Sequence, residues 1–150
     1  MSEALRTLAL GGAMAAVTFG WLAVRTARLP ASSPARLVAE FRVMQLGSLL
    51  LVFVAGAYLG FAAAAPARTG VGMDVMLALA FLVAAAVVLT RDPPEGLTIL
   101  ALAFLTHAVL DVLHRPGLLP GDITPRWYAV GCASLNVYLG ALCYLPLLRR

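Results

Sequence analysis

Lysine is missing from this chain of 150 residues; all eleven basic residues are arginine. A Schiff-base enzyme or pigment protein needs a lysine amine, so retinal and pyridoxal-phosphate chemistry are excluded. Exclusive use of arginine fits a GC-rich, bacterial coding sequence. Charge of either sign is scarce, at 12% of residues against 62% hydrophobic, whereas a soluble domain carries roughly 25% charged residues. Too little polar surface is left to clothe a water-soluble globule. The net charge of +4 is scattered over connections and ends and forms no basic stripe, which argues against nucleic acid as a partner. Cysteine is limited to Cys132 and Cys143. On one helix their spacing separates them by roughly 16 Å, beyond disulfide reach, and neither belongs to a CxxC pair. No P-loop, HExxH, GxSxG or CxxCH motif occurs, nor a Ser/His pairing of the rhomboid kind, and no internal repeat or low-complexity tract is present.

What the chain has is long apolar blocks, with a mean hydropathy of +0.94. The blocks predict helices over about 8–24, 43–65, 71–90, 96–114 and 127–148. Each is close to the ~20 residues that cross ~30 Å of hydrocarbon, where backbone polar groups must be satisfied within the segment. The expectation is a single all-α domain, residues 1–150, built as an integral membrane bundle of about five transmembrane helices. The first block follows Glu3 and Arg6 and has no small-residue cleavage site before Arg25 and Arg28, so it reads as a retained helix and not a signal peptide.

The connections carry their own signals. A basic, proline-containing stretch joins the first two blocks and suggests a short interfacial helix over 35–41. Glu40, Arg42 and Gln45 then read as the solvated opening of the second block. Pro94 and Glu95 supply a start for the fourth, a proline in the first turn and a carboxylate at the positive end of the macrodipole. Gly56-x-x-x-Gly60 is a small-residue packing motif that predicts close helix contact, within the bundle or with another protein. Trp21, Trp127, Tyr128 and Tyr144 fall where aromatic belts form.

Five crossings put the termini on opposite sides. Arg6, Arg68, Arg115 and Arg126 lie on one side, and the other seven arginines on the other. The positive-inside rule then places the N-terminus outside and the C-terminus in the cytoplasm of a bacterial plasma membrane.

One constellation carries chemistry. His107, Asp111 and His114 are spaced i, i+4, i+7 on the fourth block and project from one face, a stripe continued by Ala103, Leu100 and Gly96. Ionisable groups at membrane depth are costly and face a bundle interior or a wet cavity. Asp74 lies one turn into the third block and Tyr128, Cys132, Asn136 and Gly140 form a stripe on the fifth; both blocks start at the membrane face where the fourth ends. At ~1.5 Å per residue, Asn136 comes roughly 13 Å down, near the level of His107. A single metal held by His107, Asp111 and His114 together is awkward, because the two imidazoles start about 10.5 Å apart along the axis. Two of the three, completed by Asp74 or a group of the fifth block, suit a metal ion better. An imidazole held by Asp111 suits a general base or proton relay, and one histidine suits an axial haem or pigment ligand. Against these stands an ordinary use, in which His114 and Asp111 reach the headgroups and pair with Arg115 or Arg126.

Three functions follow as expectations: a membrane enzyme or metal- or cofactor-binding protein acting on a lipophilic small molecule from the bilayer; a non-catalytic accessory subunit beside other membrane subunits; or a small transporter or proton pathway. The third lacks the repeat and broken helices that transporters show.

Overall fold

A computed structural model describes residues 3–65, 69–114, 118–119 and 124–149. Five α-helices follow one another along the chain: α1 Glu3–Ala27, α2 Pro34–Ala64, α3 Val71–Val88, α4 Pro93–Leu113 and α5 Arg126–Tyr144, with a 3-10 turn at Leu147–Arg149. Among the described residues there is no strand. Helices α1 to α4 are each long and apolar enough to cross a membrane. The expected helical membrane bundle is what the chain forms.

The boundaries differ from the sequence expectation in instructive places. Helix α1 starts at Glu3, ahead of the apolar block. The separate interfacial helix over 35–41 does not exist; α2 is one unbroken helix of 31 residues. Ser33 caps it, its side chain accepting from the Ala35 amide at 3.2 Å, and Pro34 occupies the first turn, where its missing N–H costs nothing. No proline interrupts the helix until 66, so it runs on through Glu40 and Arg42. The solvated opening holds for Arg42 and Gln45, which are exposed, and is corrected for Glu40, which is buried and paired with Arg36. At the other end of the chain, α5 stops at Tyr144 and not at 148, because Pro146 removes a donor and clashes with the preceding turn.

Helix α4 is the centre of the bundle and packs against α2, α3 and, most extensively, α5; α1 lies across α2 and α5. The core is Phe19, Met44, Leu51, Leu97, Leu100, Phe104 and Leu139, all essentially without exposure. Outward faces are equally apolar, with Met14, Val17, Leu79, Val83, Leu102 and Val109 exposed. A protein greasy on both sides suits lipid as solvent, with helix contacts made by packing and small residues. Gly96 lets Met44 lie against α4, and Gly140 brings α5 within 3.2 Å of the Ala101 carbonyl as measured from where a Cβ would stand. Gly56 and Gly60, by contrast, are exposed, and a Cβ at either would meet nothing within 4 Å among the described residues, so the GxxxG motif faces outward. Ser48 links α2 to α3 by donating to the Ala85 carbonyl at 2.6 Å.

Candidate functional site

The polar residues of α4 occupy its inner face. His107 and Asp111 are each only 3% exposed, and Asn136 and Asp74 are fully buried. Asp111 is the hub. Its Oδ1 accepts from the Tyr58 hydroxyl of α2, and its Oδ2 accepts from Asn136 Nδ2 of α5 at 3.4 Å. Asn136 Nδ2 also donates to Cys132 Sγ at 3.3 Å. His107 Nε2 stands 3.7 Å from Asp111 Oδ1, too far for a hydrogen bond. Each residue reaches this point for a local reason: i, i+4 spacing on α4 for His107 and Asp111, and the same spacing on α5 for Cys132 and Asn136.

His114 does not join that group directly. It caps the C-terminal end of α4, where its Nδ1 faces the Leu110 carbonyl at 2.7 Å and its Nε2 faces Asp74 Oδ1 at 2.6 Å. A carbonyl only accepts, so the contact with Leu110 is made by an Nδ1 that carries hydrogen, and Nε2 is left facing the carboxylate. The i, i+4, i+7 triplet thus divides into two pairs, His107–Asp111 on α4 and His114–Asp74 bridging α4 to α3. The Tyr58 ring lies between them, its centroid 5.2 Å from that of His107 and 5.8 Å from that of His114. Phe81 of α3 covers His107 at 4.6 Å, and Tyr128 packs edge-on to Tyr58 and Phe61. Arg115 and the Arg126 side chain, the partners of the headgroup reading, lie outside the described residues.

Pairing is incomplete. Asp74 Oδ2, His107 Nδ1 and Asn136 Oδ1 are buried side-chain atoms with no hydrogen-bond partner among the described residues. Water-free burial of an unpaired polar atom costs roughly 1–3 kcal/mol by protein mutational data. Three such atoms lie among the polar side chains that α3, α4 and α5 bring together, and each calls for a partner.

Reading the sequence located His107, Asp111, His114, Asp74 and Asn136. The Asn136 amide reaches Asp111, one turn along α4 from His107. Cys132 stood on the stripe but was credited with no role, and Tyr58 was missed; a hydroxyl-bearing ring in the middle of an apolar block was the available signal. A wide apolar groove of about 910 Å³ separates the N-terminal half of α1 from α2 and α5, passing Gly12, Ala15, Leu50, Phe53 and Leu139; no member of the polar cluster lines it. Compared with known proteins, the chain matches no family, no curated protein and no solved structure.

Proposed function

We propose that this chain is a membrane enzyme whose reaction centre is the buried cluster around Asp111, acting on a small lipophilic molecule with a polar head. The single observation that carries the reading is the set of orphaned atoms among side chains that four helices bring together. Polar groups that merely hold helices together are matched to one another. Here the matching is left unfinished, and a polar headgroup supplies the missing donors and acceptors. Asp111, oriented by Tyr58 and Asn136, and His107, with a free Nδ1, are placed to hold or move a proton at such a headgroup. The Asp74–His114 pair stands as a second proton-bearing unit across the Tyr58 ring. The arginine imbalance supports an outward-facing position for this end of the bundle.

The test is retention of a bound molecule. Protein purified from membranes in mild detergent is extracted with organic solvent, and the extract is analysed by mass spectrometry. The wild type should carry a lipophilic compound that Asp111→Ala and His107→Ala lose while keeping their helical content and elution volume. If folded variants of both kinds carry the same compounds as the wild type, the reading fails.

One observation favours an accessory-subunit reading. Gly56 and Gly60 present a bare small-residue face outward, which suits close approach of a helix from another membrane protein. That reading expects a defined partner at fixed stoichiometry after mild solubilisation, and loss of it in Gly56→Leu.

A further inference from the structure

His107, Asp111 and Cys132 bring a nitrogen, a carboxylate oxygen and a sulfur from α4 and α5 to within 4.8 Å of one another, and all three residues are buried. We infer that these three side chains form a binding site for a divalent transition metal of the zinc class. The inference rests on the proposed reaction centre being a real site, and it specifies what that centre holds.

Distance is the first argument. The 3.7 Å between His107 Nε2 and Asp111 Oδ1 is too long for a hydrogen bond and close to the roughly 3.4 Å that separates two ligands on one tetrahedral ion at bonds of about 2.1 Å. Only a small inward movement of the Cys132 sulfur completes a three-ligand set. The spacing i, i+4 on one helix is a recurrent way of offering two ligands to a metal.

Charge is the second. A carboxylate and a thiolate buried in a membrane interior are expensive singly, whereas two such anions around a divalent cation sum to neutrality. Ligand type points the same way: imidazole, carboxylate and thiolate together suit a borderline-soft ion better than magnesium or calcium, which take oxygen.

The surroundings are the third. Asn136 Nδ2 has two hydrogens and directs them at Asp111 Oδ2 and Cys132 Sγ, the two anionic ligands. Tyr58 donates to the other carboxylate oxygen. Such donors around ligands orient them and are a regular part of metal centres. The unpartnered Oδ1 of Asn136 is left as an acceptor for a hydrogen on a fourth ligand, water or a substrate headgroup. Three protein ligands with an open fourth position is the pattern of catalytic zinc. His114 is not a ligand here, since both of its ring nitrogens are already engaged.

Cobalt(II) is the probe, because a thiolate ligand gives it a charge-transfer band in the near ultraviolet. The full-length protein in detergent, stripped with chelator and titrated with cobalt(II), should take up one ion per chain and show that band; added zinc should abolish it. Cys132→Ser should lose the band, His107→Ala should lower cobalt affinity at least tenfold, and Cys143→Ser should leave both unchanged. Should Cys132→Ser not fold, alkylation of native protein decides, since bound zinc should protect Cys132 from a membrane-permeant maleimide. No stoichiometric uptake by folded wild type, or a band that survives in Cys132→Ser, overturns the inference. Loss of the metal site with retention of the extracted compound would sink this inference alone; retention of metal with no compound would sink the enzyme reading and leave the metal site standing.

Discussion

The bundle buries charge at both of its ends, and treats it in opposite ways. At one end Arg36 and Glu40 of α2 pair at 3.0 Å, and the guanidinium spends its other two nitrogens on the Leu29 carbonyl at 2.7 Å and the Pro146 carbonyl at 2.6 Å. Three chain segments are tied by one side chain, all three of its nitrogens engaged. At the other end Asp111 accepts from Tyr58 and, at 3.4 Å, from Asn136, while His107 stands off at 3.7 Å and atoms are left unmatched among the described residues. The first arrangement is a clasp. The second is a set of groups held ready for something else, and the contrast separates structural from functional polarity within one small protein.

The difference yields an ordered series of stability measurements by thermal or denaturant unfolding in detergent. Arg36→Ala should be the most damaging, at about 3–5 kcal/mol, because it removes the cation paired with a buried carboxylate and frees two carbonyls. A loss of under 1 kcal/mol would show the clasp to be idle and erase the comparison. Next, Gly96→Val, near the same end, forces atoms into the Met44 side chain and should cost about 1–3 kcal/mol. At the opposite end Asp111→Asn keeps an acceptor for Tyr58 and should change stability of the metal-free protein by less than about 1 kcal/mol, while removing bound metal and ligand. A large destabilisation there would mean that Asp111 is a clasp as well. Smallest of all, Gly56→Ala and Gly60→Ala meet open space and should each stabilise the isolated chain by up to about 1 kcal/mol through helix propensity.

How much of this was legible beforehand depended on contrast against the local background. His107, Asp111 and Asn136 stood out because ionisable and amide groups are rare in apolar blocks, and helical periodicity then put them on inner faces. Tyr58 and Cys132 did not, since a phenol ring and a thiol behave as apolar bulk when read singly; only the fold shows what their polar atoms touch. The Arg36–Glu40 pair was hidden for a different reason. Its position beside a proline-rich connection resembles a solvated helix end, and the carbonyl that completes it comes from Pro146, far along the chain. Likewise the division of the α4 triplet into two pairs turns on α3, which supplies Asp74 to His114.

The length of α2 has a bearing on biogenesis. Its 31 residues form a rod of about 46 Å, and even a lean of ~40° leaves about 35 Å along the normal of a ~30 Å hydrocarbon slab. One tip therefore stands among lipid headgroups, and the tip that carries Arg36 is the one that tolerates hydration. During synthesis that arginine can wait in the wet interface while later helices emerge from the ribosome. Its last acceptor, the Pro146 carbonyl, arrives only after α5 has been made, so the latch closes more than a hundred residues after its arginine was placed.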